Sequence, residues 1–332
     1  MFASFKSLAL AVVAATTLAG SAWAQQKVVI DGSSTVYPVT EAVAEEFGKE
    51  KKGQVQVTVG ISGTGGGFKK FVRGETDISN ASRPILQKEM DEAKKNGIEY
   101  IELPIAFDAL TVVVNKENTW CEQLTIPELR TIWSPESEGK ITRWNQVNPS
   151  FPDAPLKLFG AGPDSGTFDY FTEAVNGKSK ASRKDYTPTE DDNVTVQGVS
   201  QDKNAIGYFG LAYYEENKDK LKAVKIVNAQ GKAVYPTVES AKSGEYNPLS
   251  RPIFIYVNKK SLETKPQVRE FVEFYLKHGG ELAKEVGYVP LPEEGYKMAA
   301  ERVSKGETGT VFGGKESVGM TIEKLFTLER VH

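Results

Sequence analysis

The sequence predicts an α/β protein with mixed, mostly parallel sheets. Short apolar segments with the character of strands alternate along the chain with segments whose apolar residues recur at helical spacing. This alternation is typical of strand–helix–strand units. Apolar residues make up 39% of the 332 residues, and 16 Phe, 13 Tyr and 4 Trp are among them. The chain can therefore build sizeable cores, which excludes disorder as its main state.

The first 24 residues predict a secretory signal peptide. Lys6 precedes an apolar run over residues 8–18, and Ala22-Trp23-Ala24 matches an A-x-A cleavage site, so that Gln25 would begin the mature chain. The apolar run is shorter than the roughly 20 residues that span a bilayer. No Cys lies near the cleavage site, and we therefore expect a secreted protein without a lipid anchor.

The strands and helices of the mature chain follow from local patterns. Val39, Val43 and Phe47, for example, recur four residues apart and give the first helix an apolar face. The predicted strands are 27–30, 54–61, 76–79, 98–103, 109–115, 155–160, 194–199, 205–209 and 251–258. The predicted helices are one capped by Ser33, Ser34 or Thr35, one over 68–72 after the glycines of SGTGGG, and those over 87–96, from Ile126, over 168–175, 266–277 and 292–303, with a helical apolar stripe in the tail after Gly306.

Two long apolar strands, 109–115 and 251–258, are the expected connections between two lobes. We place residues 25–108 and 258–332 in the first lobe and residues 109–257 in the second. A ligand cleft would lie between these two discontinuous halves.

Charge and residue counts exclude several classes of function. The net charge is −3, from 41 basic and 44 acidic residues, so the chain lacks the basic surplus of a nucleic-acid-binding protein. Cys121 is the single cysteine, which rules out an internal disulfide and indicates a packed thiol. His278, expected at a helix end, and the terminal His332 offer no catalytic triad. The sequence therefore predicts no catalytic residue, no metal cluster and no cofactor.

Three segments share one design, in which a strand is followed by small hydroxyl residues, Gly and a helix start. They are Asp31–Thr35, Ser62–Gly67 and Asp164–Thr167. The first turn of a helix has unpaired N–H groups and partial positive charge, and Gly lets an anion approach the backbone. Ordinary N-capping explains any one of the three equally well. Three in one chain favour a small oxyanion held by neutral donors; SGTGGG lacks the Lys of a Walker A loop.

Charged candidates lie close to these segments. Arg83, which precedes a Pro after a predicted strand, could give an oxyanion a two-pronged contact. Phosphate keeps a proton near neutral pH, so a site that selects it over sulfate benefits from a carboxylate acceptor. Asp31, Asp77, Asp108 and Asp164 are all candidates, and their spacing does not choose among them.

Seven segments resemble the periplasmic phosphate-binding proteins of Pst ABC transporters, and GPDSGTFDYF resembles their cyanobacterial type. The segments are DGSSTVYPVTEAVAEEF, GISGTGGGFKKFVRGETDISNASRPI, FDALTVVVN, GPDSGTFDYFTEA, NAIGYFG, RPIFIYVN and VGYVPLP, in the order of that family. The resemblance implies a two-lobe periplasmic-binding-protein fold with two hinge strands that close on phosphate. It also implies a monomeric periplasmic protein whose partner is an inner-membrane ABC permease.

The resemblance assigns phosphate contacts to loop residues. These would be Ser34, Thr35 and Val36 in the first loop, Thr64 and Gly65 in the second, Ser82 and Arg83 in the third, and Ser165, Gly166 and Thr167 in the fourth. Two positions depart from the best-known members. Ala161 stands at an Arg position and Ser82 at an Asp position, so Arg83 would replace the missing cation. Asp164, or else Asp108, would replace the missing carboxylate.

Three hypotheses follow. The first is a periplasmic protein that captures inorganic phosphate, and the second is the same architecture for sulfate or molybdate. The third is a secreted phosphoester hydrolase. The placement of the two His residues and the lack of a metal-cluster motif in the sequence argue against it.

Overall fold

A computed structural model describes residues 26–163, 165–189 and 191–314. The predicted signal peptide, Asp164 and the helical stripe predicted in the tail lie outside the described residues.

Thirteen strands are present in this part of the chain. They are β1 (Gln26–Gly32), β2 (Val55–Ile61), β3 (Ile78–Ala81), β4 (Tyr100–Asn115), β5 (Gln123–Thr125), β6 (Lys157–Ala161), β7 (Thr187–Thr189), β8 (Ala205–Gly210), β9 (Leu221–Ala223), β10 (Lys225–Val227), β11 (Ala233–Val234), β12 (Ser250–Asn258) and β13 (Val289–Pro290).

Twelve α-helices and one 3₁₀ turn (Pro135–Ser137) accompany these strands in the described ranges. The helices are α1 (Tyr37–Glu50), α2 (Gly63–Phe71), α3 (Gln87–Lys95), α4 (Ile126–Trp133), α5 (Trp144–Val147), α6 (Gly166–Asn176), α7 (Asp192–Gln201), α8 (Leu211–Asn217), α9 (Val238–Lys242), α10 (Lys259–Thr264), α11 (Pro266–Glu285) and α12 (Glu293–Lys305).

One large mixed sheet organises the molecule, which confirms the predicted α/β fold class. Five of its nine described strand pairs are antiparallel, so the expectation of a mostly parallel sheet does not hold. Its strand order is β2-β1-β3-β12-β4-β8-β6-β7, with β9 and β13 also paired to β4. The pairs at the two ends of this order are parallel, whereas β3–β12, β12–β4 and β4–β8 are antiparallel. We call β2, β1 and β3 one arm of the sheet and β8, β6 and β7 the other. The carboxyl end of β1 leads into α1 from the first arm, and that of β6 leads into α6 from the second.

Strand β4 is one continuous strand of 16 residues, and the prediction of two separate strands there is wrong. The two predicted strands leave residues 104–108 unassigned. This gap begins at Pro104, which has no N–H to donate to a neighbouring strand. In the structure Phe254 lies opposite Pro104 and Ile253 opposite Ala106, so Ile105 is an extra residue on β4. The carbonyl of Ile105 accepts a hydrogen bond from Tyr296 instead, at 2.7 Å. A bulge thus absorbs the proline without ending the strand.

The pairing partners of β4 change along its length. Its first part, as far as Ala109, pairs with β12, and from Leu110 onward it pairs with β8. Strand β12 itself pairs only with β3 and this first part of β4 among the described residues. The lobe boundaries at residues 108 and 257 stay a prediction.

Two further local predictions are wrong. Residues 194–199 are predicted as a strand, but they lie in α7, where Asp191 caps the helix and Thr195 and Val199 are buried one turn apart. His278 was expected at a helix end before two glycines, but α11 continues through them. A Cβ on Gly280 would lie 2.9 Å from the Tyr296 ring, so this glycine makes room for α12.

Candidate functional site

Three of the four predicted loops line one small cavity at the carboxyl ends of β1, β2 and β3. The cavity has a volume of about 220 Å³, and we call it the inner cavity. Six residues predicted as phosphate contacts line it, namely Ser34, Thr35, Thr64, Gly65, Ser82 and Arg83. Loops that are up to 50 residues apart in sequence are therefore brought together by the parallel strands that precede them.

The hydroxyl groups before α1 do not cap that helix, contrary to the prediction. The N-cap position is the buried Val36, and no side chain caps the helix. Ser34 Oγ donates instead to Asp169 Oδ2 at 2.8 Å, and Thr35 Oγ1 donates to the carbonyl of Gly166 at 3.2 Å. The first loop is thus bonded to the start of α6, on the other arm of the sheet.

The fourth predicted loop lies against the first. Gly166 approaches so closely that a Cβ there would lie 2.6 Å from Thr35 Cα and 2.9 Å from the Ser34 carbonyl. Ser165 caps α6 by accepting a hydrogen bond from the Thr167 amide at 3.1 Å. The start of α6 therefore borders the inner cavity through the first loop, although Ser165, Gly166 and Thr167 are not part of its lining.

The second and third loops are bonded to each other. The Ser82 amide donates to Thr64 Oγ1 at 3.1 Å, and the two hydroxyl oxygens lie 2.9 Å apart. Helix α2 begins inside the glycine run, at Gly63, and not after it as predicted. A Cβ on Gly67 would lie 2.5 Å from Gly32 Cα, so the glycine lets the helix pack directly on β1.

Arg83 is held in place by a carboxylate. Its Nη1 and Nη2 donate to the two oxygens of Glu89 at 2.9 and 2.8 Å, and Nη1 also donates to the Pro84 carbonyl at 3.0 Å. Glu89 is itself buried. This two-pronged geometry fixes the guanidinium at the cavity wall and balances its charge.

Three charged residues that the sequence analysis did not single out also line the inner cavity: Asp169, Glu173 and Arg251. Asp169 and Glu173 lie one turn apart on α6, directly after the predicted DSGT loop, so their spacing was a usable signal. Arg251 begins the strand that was taken only as a connection between lobes. The Asp169 Oδ1 atom is buried and accepts no hydrogen bond from the described residues, and Lys180 Nζ lies 3.7 Å from it.

Asp108, one of the two predicted carboxylate acceptors, lies beside the cavity and not in its lining. It is opposite Arg251 across the β4–β12 pair. Burial raises the pKa of Asp108 to about 7, and the neighbouring Arg251 charge only partly offsets this. Burial raises the pKa values of Tyr170 and Tyr288, and the nearby Asp108 charge adds to this rise. Asp164, the other candidate, is outside the described residues.

The remaining chemical groups lie elsewhere. Cys121 is buried, and burial raises its thiol pKa to about 12, as expected for a structural thiol. Within the described ranges, no three His, Cys, Asp or Glu side chains group together as a metal site. His278 lines a surface depression between α1 and α11. In the same ranges no helix has the length and apolar character needed to cross a membrane.

Comparisons with known proteins identify the family. The profile of the PBP superfamily domain matches residues 19–278. Protein SphX of Synechococcus elongatus is 54% identical over 305 residues, which cover 92% of this chain and 89% of that protein. The phosphate-binding protein PstS of Staphylococcus saprophyticus is 43% identical over 268 residues, which cover 80% and 81% of the two chains.

A solved structure agrees with the sequence relatives. The crystal structure of a possible phosphate binding protein from Planctomyces limnophilus matches with a TM-score of 0.82 and 48% identity, covering 85% of this chain and 99% of that one. The resemblance to phosphate-binding proteins that the sequence predicted is thereby confirmed, while the significance of the GPDSGTFDYF segment stays a prediction. The chain belongs to the PBP superfamily and, within it, to the family of the SphX and PstS proteins.

Proposed function

We propose that this protein captures inorganic phosphate in the inner cavity and delivers it to an ABC permease. The observation that carries the proposal is the convergence of three hydroxyl-rich loops and a fixed guanidinium, Arg83, on one small cavity. Backbone amides at helix starts, hydroxyl groups and an Arg fork are donors that suit a tetrahedral oxyanion. The names of the SphX and PstS relatives and of the Planctomyces structure support phosphate as the ligand.

The site residues that we propose extend beyond the lining of the inner cavity. Arg83 and the hydroxyl groups of Thr64 and Ser82 would donate from its walls. Ser34 and Thr35 would donate through their backbone amides, since their hydroxyl groups already donate to Asp169 and Gly166. Val36, Gly65, Ser165, Gly166 and Thr167 would contribute through their amides or hydroxyl groups as the two arms of the sheet close. Closure would bend the chain where β4 changes partners, between the lobes predicted from the sequence.

The proposed cellular setting follows from the same family. Residues 1–24 would direct export, and the mature chain would act in the periplasm as a monomer without a lipid anchor. The protein would bind phosphate without catalysing a reaction, since capture and delivery need only affinity and closure of the lobes.

Titration calorimetry of the chain, stripped of ligand by unfolding and refolding, tests the function. Phosphate, arsenate and sulfate would each be titrated at about pH 5 and about pH 8. We expect tight binding of phosphate and arsenate and no binding of sulfate. Equal or tighter sulfate binding would show that the ligand is a different oxyanion, and turnover of a phosphate ester would show that the protein is a hydrolase.

Asp169 is the carboxylate that we propose for selectivity. A buried acceptor oxygen without a donor repels a fully ionised anion, but it accepts a hydrogen bond from an anion that carries a proton. Asp169 Oδ1 has this property and belongs to a lining residue of the inner cavity. Phosphate carries such a proton near neutral pH and sulfate does not, so Asp169 would favour phosphate.

The variant Asp169→Asn tests this assignment, because the amide keeps the shape and replaces one acceptor by a donor. We expect the ratio of phosphate to sulfate affinity to fall at least tenfold in calorimetric titrations, which is about 1.4 kcal/mol. The control is Asp153→Asn, which changes an exposed carboxylate paired with Arg143 away from the cavity. An unchanged ratio in Asp169→Asn would remove Asp169 from the selectivity mechanism.

A further inference from the structure

Arg251 lies on β12, the strand between the two arms of the sheet, and also borders the inner cavity. It is the second residue of β12 and lies opposite Asp108 of β4, and it is part of the lining of the inner cavity. It also lines a second cavity of about 320 Å³, the outer cavity, which Asn247 and Tyr170 help to form. Arg83 lines both cavities as well, so both guanidinium groups border the inner and the outer cavity.

Arg83 and Arg251 differ in how many hydrogen bonds their N–H groups already donate within the protein. Arg83 gives three hydrogen bonds to the described residues, two of them to Glu89, so the carboxylate balances its charge and fixes its direction. Arg251 donates one hydrogen bond, from Nη1 to Glu173 Oε2 at 3.0 Å. Its Nε is buried and has no partner among the described residues. Arg251 therefore has more unused N–H donors than Arg83 within the described residues.

The orientation of Arg251 is nevertheless well defined. Its guanidinium carbon lies 3.6 Å from the centre of the Tyr170 ring, which is a close cation–π stack. The Arg251 side chain is 14% exposed. Tyr170 and Glu173 both belong to α6, the helix whose first turn carries the predicted phosphate loop. The stack and the ion pair thus hold the spare donors beside the cavity from the α6 side.

The charges around the inner cavity call for a second cation. Asp169 and Glu173 both line it, and their carboxylates would repel a phosphate with one or two negative charges. Lys180 Nζ lies 3.7 Å from Asp169, whereas Glu173 is paired with Arg251 alone among the described residues. Since Glu89 already balances Arg83, the only other guanidinium in the described lining is Arg251. A charge-assisted hydrogen bond from a partly buried guanidinium is among the stronger contacts that a protein can offer an oxyanion.

We infer that Arg251 is a phosphate-contacting residue, supplied from the strand between the two arms and oriented by Tyr170 and Glu173. This inference rests on the proposed function, because it names a further contact of the same site. Its consequence is that phosphate bound by the loops of β1, β2 and β3 would also bind a group whose backbone lies in β12, so ligand binding and the arrangement of the two arms would be coupled.

Calorimetric titration of phosphate into the full chain and its Arg251→Gln variant tests the inference. We expect phosphate to bind at least tenfold more weakly to the variant, and the rise in Tm that saturating phosphate produces to shrink accordingly. Arg251→Lys, which keeps the charge but cannot form a fork, should bind with intermediate affinity. The matched control is Arg143→Gln, an exposed arginine paired with Asp153, which should bind as the unchanged protein does.

The outcomes separate this inference from the function on which it rests. Failure of the unchanged protein to bind phosphate would refute the proposed function. Normal phosphate binding by the unchanged protein and by a folded Arg251→Gln variant would overturn the role of Arg251 alone. Should Arg251→Gln not fold, the lysine variant decides: full affinity there overturns the inference, and a several-fold loss with an unchanged ligand-free Tm supports it.

Discussion

The two walls of the inner cavity differ in how completely their polar groups are paired. On the wall formed by the loops after β2 and β3, Thr64 bonds to Ser82, and Arg83 bonds to Glu89 through both prongs. On the wall formed by α6 and β12, Asp169 Oδ1 and Arg251 Nε are buried without a hydrogen-bond partner among the described residues. The polar groups of the first wall are thus paired with each other, whereas the second wall has one buried acceptor and one buried donor without a partner among the described residues.

This difference indicates which wall gains more interaction free energy when the ligand binds. An unpaired buried polar atom costs free energy, which a ligand with a matching donor or acceptor recovers. A wall whose buried polar atoms are already paired gains little beyond the new contacts themselves. We therefore expect substitutions in α6 and β12 to change phosphate affinity and selectivity, and substitutions in the loops after β2 and β3 to affect the stability of the ligand-free protein as well.

The largest effect is expected where the two arms touch, at Gly166. In Gly166→Ala the new Cβ would meet backbone atoms of Ser34 and Thr35 at 2.6–2.9 Å, and neither backbone can yield without moving the first loop. Forced separation of this kind costs up to about 3 kcal/mol. Titration of phosphate should therefore show an affinity loss of about a hundredfold.

Gly48→Ala is the matched control for Gly166→Ala. Gly48 lies in α1, and a Cβ there would have no atom within 4 Å apart from its chain neighbours and the backbone of its own helix. Alanine favours the helix at such a position by up to about 1 kcal/mol. Phosphate affinity should stay unchanged in this variant. Normal affinity in Gly166→Ala as well would show that contact between the two loops is not needed for binding.

The next effect concerns Asp108, the buried carboxyl group behind Arg251. Because burial raises its pKa from 3.8 to about 7, the folded protein holds a proton that the unfolded chain releases at lower pH. The stability of the protein relative to Asp108→Asn should thus fall by about 1.4 kcal/mol for each pH unit between about 4 and 7. Chemical denaturation of both proteins at about pH 5 and pH 6.5 would measure a change of about 2 kcal/mol.

Asp185 supplies the control of opposite sign. The Arg183 side chain lowers the pKa of this carboxyl group to about 2, so its contribution to stability is present above pH 4 and lost only below it. The difference between the protein and Asp185→Asn should accordingly be flat over the same pH window. A flat difference for Asp108→Asn too would mean that Asp108 remains ionised in the folded protein.

The sequence predicted one wall better than the other. The hydroxyl and glycine residues of the first three loops follow parallel strands directly, so their convergence could be inferred from local pattern. Asp169 and Arg251 reach the same cavity only through the antiparallel pairing of β12 with β4 and the angle of α6. These are long-range tertiary features, which the hydrophobic periodicity of a local segment does not predict.

The wrong local predictions have a related cause. The bulge at Ile105 keeps β4 continuous because Tyr296, almost 200 residues later, satisfies its carbonyl. Residues 194–199 have strand propensity, but burial of one helical face decides their structure. Ser34 and Thr35 have the sequence of helix caps, yet their hydroxyl groups bond across to α6. In each case a tertiary partner overrides the local signal.

The smallest effect separates capping from ligand binding at the helix starts. Ser165 accepts a hydrogen bond from the Thr167 amide, so Ser165→Ala should lower the free energy of unfolding of the phosphate-free protein by about 1 kcal/mol. Ser62 holds the equivalent position before α2 but caps nothing, because its hydroxyl bonds to Asp31. Ser62→Ala should cost less than about 0.5 kcal/mol, as exposed substitutions usually do. Chemical denaturation of both variants would decide, and equal losses would mean that the Ser165 hydroxyl, like that of Ser62, is not serving as a cap in the absence of phosphate.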